Sequence, residues 1–141
     1  MMDVAMRWRT GNRARGALAV LLGAVAIAAA GCGRGGTQLS VAEAATLTGG
    51  NPARGRVEIR AWGCGSCHTI QGVTGANSLV GPPLTGIAQR AYIGGVIANT
   101  PANIVRWIQN PQAIDSLTAM PNLNVPPSVA RDMAAYLYSL Q

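Results

Sequence analysis

The clearest chemistry in the chain lies in five consecutive residues, Cys64-Gly65-Ser66-Cys67-His68. The spacing Cys-x-x-Cys-His is the attachment sequence for c-type haem, in which two thiols bond to the porphyrin and the histidine binds its iron. On a helical turn, Cys64 and Cys67 project towards one side, and His68 follows directly as the proximal ligand. The chain has three cysteines and one histidine. The segment therefore predicts one covalently bound haem c.

Three other interpretations of the cysteine pair each need a feature that this sequence lacks. A structural zinc site needs four ligands, and there is no second cysteine pair. A thioredoxin-like motif needs a strand–helix–strand setting, which the surrounding Gly/Pro-rich sequence does not offer. A disulfide between Cys64 and Cys67 would close a very tight ring and would give His68 no role. Haem attachment is the interpretation we adopt.

The second axial ligand has to be sought among the methionines, because His68 is the only histidine. Met133 lies in a predicted C-terminal helix, and we expect it in the core. Met120 lies in a stretch without helical periodicity, and Pro121 stiffens the backbone beside it. We predict Met120 as the sixth ligand; the alternative is an exposed loop methionine. The apolar face of the C-terminal helix consists of Val129, Met133, Tyr136, Leu137 and Leu140.

Charge and composition argue against a nucleic-acid partner. All eleven basic residues are arginine, and four of them precede residue 16. From Cys32 onward, seven arginines face four carboxylates, so most of the high isoelectric point belongs to the N-terminal segment. The chain also has no phenylalanine. A core made mainly of aliphatic side chains is thin for a domain of this size, which fits a large apolar cofactor.

The N-terminal segment has the pattern of an export signal. Arginines in residues 1–15 precede a short apolar run over residues 17–30, which is the layout of a secretory signal peptide. The run is shorter than the roughly 20 residues of a transmembrane helix. Ala29-Ala30-Gly31-Cys32 resembles a bacterial lipobox, which predicts lipidation of Cys32. The alternative is ordinary cleavage after Ala30, which would leave a soluble protein.

These features divide the chain into three parts. Residues 1–31 are predicted as a signal peptide of the lipoprotein type, residues 32–50 as a flexible Gly/Ala/Ser/Thr-rich tether, and residues 51–141 as the folded domain. The product is expected in the periplasm or on the outer face of the cytoplasmic membrane, held there by a lipid anchor at Cys32.

Within the domain, proline and its neighbours mark the helix ends. Asn51-Pro52 and Thr100-Pro101 are typical of a capping residue followed by proline at the first helical position. Asn110-Pro111 predicts a helix end, and Pro127-Ser128 predicts the start of the last helix. Residues 69–90 are rich in Gly and Pro and are predicted as a loop around the cofactor. No strand pattern persists.

The order of these landmarks from about Asn51 to Leu140 resembles that of class I c-type cytochromes. The resemblance implies a small all-α cytochrome c fold, with three to four short helices and loops wrapped around one covalent haem. The matching landmarks are a helix at 51–61, Cys64–His68, Gly81-Pro82-Pro83-Leu84, a helix at 101–110, Met120, and Ala135-Tyr136-Leu137.

The resemblance also implies roles for residues around the haem. The Pro82 carbonyl would accept a hydrogen bond from His68. Arg90 would lie near a haem propionate, with Tyr92 as the alternative, and Trp107 would lie beside the haem on the methionine side.

Two further positions bear on the resemblance. Gly55 would let the first helix cross closely over Tyr136. The first helix has one residue more between Gly55 and Cys64 than the commonest spacing, and Pro83 stands where the family varies.

The implied function is that of a single-electron carrier with His/Met ligation, not an enzyme, in a respiratory-type electron transport chain. Its partners would be redox proteins: a quinol-oxidising complex or dehydrogenase as donor, and a terminal oxidase or reductase as acceptor. The alternative is a haem-bearing subunit or docking module of a larger membrane respiratory complex. An enzyme or gas sensor with five-coordinate iron is disfavoured by Met120.

Overall fold

A computed structural model describes residues 38–140, which are rich in helix. The predicted signal peptide (1–31), Cys32 with its predicted lipid, and residues 33–37 of the predicted tether lie outside the described residues. The elements in chain order are α1 (Val41–Thr48), α2 (Pro52–Ala61), a 3₁₀ turn (Cys64–Ser66), a second 3₁₀ turn (Ile87–Gln89), β1 (Tyr92–Ile93), β2 (Ile97–Ala98), α3 (Pro101–Gln109), a third 3₁₀ turn (Pro111–Ala113) and α4 (Pro127–Tyr138).

The predicted helix starts are confirmed. The Asn51 side chain accepts the backbone N–H of Arg54 at the start of α2, and Thr100 does the same for Asn103 at the start of α3. In both helices proline occupies the first turn, where its missing N–H removes no helical bond. α4 begins at Pro127 without a side-chain cap.

The expectation of a purely all-α domain is wrong, because β1 and β2 form a short antiparallel hairpin with Tyr92 opposite Ala98. Its turn contains Gly94 and Gly95, with φ of 58° and 79°. Positive φ at two successive positions is easy only for glycine, which lets the chain reverse between strands of two residues each.

The predicted tether is also wrong over residues 41–48, which form α1. Ser40 and Glu43 make a capping box: the Ser40 hydroxyl accepts the N–H of Glu43, and the Glu43 carboxylate accepts the N–H of Ser40 at 2.7 Å. Ala44 and Thr48 are buried where α1 packs against α4. The helix forms because its local caps and this apolar contact act together, although the residues that flank it are rich in glycine.

The centre of the fold is the close crossing of α2 and α4. A Cβ placed on Gly55 would lie 1.9 Å from the carbonyl oxygen of Asp132 and 3.0 Å from the nitrogen of Met133, so the two backbones touch at this point. The nearest neighbours of Gly55 on α4 are thus the backbone atoms of Asp132 and Met133. Tyr136, one turn further along α4, donates a hydrogen bond to the carbonyl of Gln71 at 2.6 Å.

An ion pair fastens the same crossing. Asp132 accepts hydrogen bonds from Arg54 Nε at 2.7 Å, Arg54 Nη2 at 3.1 Å and the backbone N–H of Asn51 at 2.6 Å. These bonds hold the pKa of Asp132 below its ordinary value. The start of α2 is therefore tied to the first half of α4 by three bonds to one carboxylate.

The predicted apolar face of α4 is confirmed, and Met133 is a core residue. Met133 is 1% exposed, and Leu137 and Leu140 are also buried. Val129 and Tyr136 are partly buried against the same cluster. Among residues 38–140, no helix combines the length and the apolar character needed to cross a bilayer.

Candidate cofactor-attachment site

The cysteine pair lies on a tight turn directly after α2. Gly63, with φ of 71°, ends the helical path, and residues Cys64–Ser66 form a 3₁₀ turn. The backbone N–H groups of Cys67 and His68 both donate to the carbonyl of Cys64, at 3.3 and 3.1 Å. Both thiols are free and half-buried, and burial raises the pKa of Cys64. The turn presents the two sulfurs and the imidazole from one compact piece of backbone.

Gly65 inside this turn is required by a close approach of the following loop. A Cβ at this position would lie 2.7 Å from the Cβ of Ala76 and 2.9 Å from its Cα. Such distances are well below van der Waals contact, so no side chain fits here without moving the loop. The loop around Ala76 therefore packs directly on the backbone of the turn.

His68 is held by the Gly81-Pro82 segment. Its Nδ1 lies 2.7 Å from the carbonyl oxygen of Pro82. Because a carbonyl can only accept, Nδ1 carries a proton, and in the neutral ring the lone pair is on Nε2. This is the contact that the cytochrome resemblance implies for Pro82.

Gly81 lies against the same ring. A Cβ on Gly81 would be 2.5 Å from His68 Cε1, and the Gly81 N–H donates to the carbonyl of Cys67 at 2.6 Å. The segment is thus bonded to the turn on one side and packed on the imidazole on the other. The ring orientation is set by two contacts from one short stretch of chain.

Arg90 folds back over the Pro-Pro loop. Its guanidinium donates to the carbonyl of Pro83, and Nη2 lies 3.4 Å from the carbonyl of Thr85. Tyr92, the alternative to Arg90 near a propionate, has a side chain that is 60% exposed. Arg90 therefore belongs to the loop that holds His68, whereas Tyr92 makes no comparable contact with that loop among the hydrogen bonds of residues 38–140.

Trp107 is buried in the core, and Met120 is partly buried against it. Trp107 is 8% exposed, and its ring lies so close to Gly94 that a Cβ there would be 2.5 Å from it. Met120 is half-buried, and its backbone N–H donates to the Thr118 hydroxyl at 3.3 Å. Cys64 and Met120 both pack against the core cluster that contains Trp107.

Large apolar side chains are exposed in the segment before Gly81, which packs on His68, and in the loop that leads to Met120. Leu79 and Val80, just before Gly81, are each 81% exposed, and Leu117, three residues before Met120, is 92% exposed. Aliphatic side chains in water are unfavourable by about 1.5–3 kcal/mol each relative to full burial. These exposed apolar side chains suit contact with a large, flat, mainly apolar group, and the two thiols of the Cys64–Cys67 turn offer points to attach it. The residues present therefore suit a haem.

Sequence reasoning missed Asn99, which joins several parts of the site. Its Nδ2 donates to the carbonyls of Ile87 at 2.7 Å and Arg90 at 2.9 Å, and its Oδ1 accepts from the Tyr138 hydroxyl at 2.7 Å. Burial raises the pKa of Tyr138 to about 12, so this hydroxyl keeps its proton. No spacing in the sequence points to Asn99, because all three partners lie outside its own element.

No protein-family model, curated protein or solved structure matches the chain. The functional argument therefore depends on the residues of the site itself.

Proposed function

We propose that this chain is a monohaem c-type cytochrome that carries single electrons. The observation that carries the proposal is the 2.7 Å hydrogen bond between His68 Nδ1 and the Pro82 carbonyl, next to the Cys64–Cys67 turn. The bond fixes the tautomer that leaves Nε2 free to bind a metal, and it orients the ring.

Each residue of the site then has a defined part. Cys64 and Cys67 would hold the porphyrin through their sulfurs, His68 would supply Nε2 to the iron, and Met120 would supply its thioether. When bound, haem contributes a reversible one-electron change at its iron. A thioether ligand favours the ferrous state and so raises the reduction potential. Two ligands from the protein leave no position open for oxygen or peroxide, which favours a carrier over an enzyme.

The loops that carry the ligands are stiffened at the positions where movement would matter. Pro82 and Pro83 have fixed φ on the His68 side, and Pro121 follows Met120 on the other. The Gly81 N–H bond to Cys67 ties the first of these loops to the attachment turn. Ligands that move little between the two oxidation states favour fast electron transfer, because little of the surroundings has to rearrange.

Covalent attachment provides the first test. The full chain, expressed with a c-type haem-ligation system, should keep its red colour after denaturation and gain the mass of one haem. The double variant Cys64→Ala/Cys67→Ala should lose the covalent pigment, whereas Cys32→Ser, which removes the third cysteine, should retain it. A colourless wild-type chain under these conditions would refute the proposal.

The cellular setting belongs to the same proposal. The chain is exported, its lipid anchor is at Cys32, and it exchanges electrons with a quinol-oxidising complex or dehydrogenase and with a terminal oxidase or reductase. The intact mass of the protein from its native membrane tests the haem, the acyl groups and the cleavage site together. On native gels, a free carrier migrates alone; haem that migrates only with a large assembly would identify a subunit of a respiratory complex instead.

A further inference from the structure

We propose that Asn99 is a positioning residue for His68, acting through Arg90 and the Pro82-Pro83 loop. The inference rests on the proposed function, since it concerns the ligand that His68 provides to iron. It is carried by a series of hydrogen bonds from the C-terminal end of α4 to the imidazole, which are linked through the Arg90 side chain and the Pro82-Pro83 backbone.

The Asn99 amide closes the base of the hairpin loop. Its Nδ2 donates to the carbonyls of Ile87 and Arg90, at 2.7 and 2.9 Å, and its backbone N–H donates to Ala91 at 2.9 Å. Its Oδ1 accepts from Tyr138 at 2.7 Å. Carbonyls only accept and the Tyr138 hydroxyl donates here, so the amide orientation follows from its partners. Both amide protons and the amide oxygen are used.

These bonds fix the backbone of Arg90. Its N–H donates to the carbonyl of Ile87 at 3.1 Å, and its own carbonyl accepts from Asn99. Both polar groups of the residue are held, so its side chain leaves from a fixed point. From there the guanidinium reaches the carbonyls of Pro83 and Thr85. Asn99 thus determines where the Arg90 side chain begins.

The connection from Pro83 to His68 is short and stiff. The Pro82 carbonyl that accepts from His68 belongs to the planar peptide group joining Pro82 to Pro83. The ring of Pro83 fixes its φ, so only its ψ separates this peptide from the carbonyl that Arg90 holds. A change at the Arg90 guanidinium is therefore passed to the acceptor of the His68 bond with little loss.

The expected effect is on the iron ligand. A hydrogen bond from Nδ1 to a carbonyl makes the imidazole a stronger donor, which favours ferric over ferrous iron. Loosening the loop weakens this bond, so the reduction potential rises. Tyr138 is 5% exposed, and its hydroxyl donates to Asn99. The position of Asn99 therefore also depends on how α4 packs.

The test compares the haem-loaded full chain with Asn99→Leu and Tyr138→Phe. Leucine removes the amide donors and adds no charge. An added charge would by itself shift the reduction potential. We expect Asn99→Leu to raise the reduction potential and to accelerate exchange of the His68 Nδ1 proton in the reduced protein. Tyr138→Phe keeps both Asn99 donors, so it should shift both quantities in the same direction by less. Arg54→Met, which breaks the ion pair with Asp132, serves as the control for general destabilisation.

The outcomes separate this inference from the proposed function. A wild-type chain without covalent haem overturns the proposed function before any variant is compared. If the wild type carries haem but Asn99→Leu has the same reduction potential and proton exchange as Arg54→Met, only the role of Asn99 is overturned. If Asn99→Leu does not fold, Tyr138→Phe decides in the same way. Adding Asn99→Leu to Arg90→Met should produce no further change in proton exchange, because Asn99 acts through Arg90.

Discussion

Substituting Gly55 with alanine tests the crossing of α2 and α4 most directly. The new Cβ would lie 1.9 Å from the carbonyl oxygen of Asp132 and 2.5 Å from its carbonyl carbon. Ordinary contact begins at about 3.5 Å, so the helices must separate by roughly 1.5 Å. The Cβ is fixed by the α2 backbone and the atoms it meets belong to the α4 backbone, so no change of side-chain rotamer can relieve the overlap.

Two effects of opposite sign compete at this position. Alanine in a helix interior is favoured over glycine by about 1 kcal/mol. Overpacking that shifts backbone typically costs about 1–3 kcal/mol, and the depth of this overlap puts Gly55→Ala at the upper end. We expect a net loss of about 2 kcal/mol, which corresponds to a fall in Tm of roughly 10 °C for a domain of this size.

Chemical and thermal unfolding, followed by circular dichroism on the haem-loaded chain, measure this loss. Val57→Ala in the same helix is the matched control, because Val57 is 62% exposed and its replacement should change stability by no more than about 0.5 kcal/mol. If Gly55→Ala proves as stable as the wild type or more so, helix propensity outweighs packing, and the close contact between the two backbones is wrong.

Three further outcomes follow from the structure. Hydrogen bonds from Arg54 lower the pKa of Asp132. The ion pair therefore contributes fully to the free energy of unfolding above the ordinary pKa of 3.8, and this contribution is lost as the pH falls through the lower folded pKa. Acid unfolding of Asp132→Asn should lack this pH dependence, and a profile identical to that of the wild type would contradict the ion pair. Met120→Ala should remove the near-infrared band of methionine–iron ligation from the oxidised spectrum and allow carbon monoxide to bind the reduced form; retention of the band would exclude Met120 as ligand. Ser40→Ala should weaken the first turn of α1 by about 1 kcal/mol, seen as faster amide exchange confined to that helix, whereas unchanged exchange would argue against the capping box.

Local signals predicted those elements whose ends are set by neighbouring residues. The Asn51 and Thr100 caps and the Pro127 start all lie where the sequence places them. The same kind of signal was available for α1, since Ser40 and Glu43 have the capping-box spacing. The Gly/Ala/Ser/Thr-rich composition of residues 32–50 as a whole outweighed that signal, and the contact with α4 that buries Ala44 could not be foreseen from residues 41–48 alone.

The candidate site divides in the same way. The spacing of Cys64, Cys67 and His68 reports chemistry directly, whereas the Pro82 acceptor came from resemblance to a family and not from spacing. Asn99 could not be predicted, because its side-chain partners are backbone carbonyls in another loop and a hydroxyl 39 residues away. The β-hairpin was missed for a different reason: two residues per strand are too few to show an alternating pattern.

The sequence distance across the ion pair has a consequence for biogenesis. Arg54 and Asp132 are 78 residues apart, so the domain cannot close until almost the whole polypeptide has been made. During synthesis, Cys64 and Cys67 are made long before the helix that completes the fold. Under the proposed function, a haem-ligation enzyme would therefore meet the two thiols on an open chain, before the last helix packs.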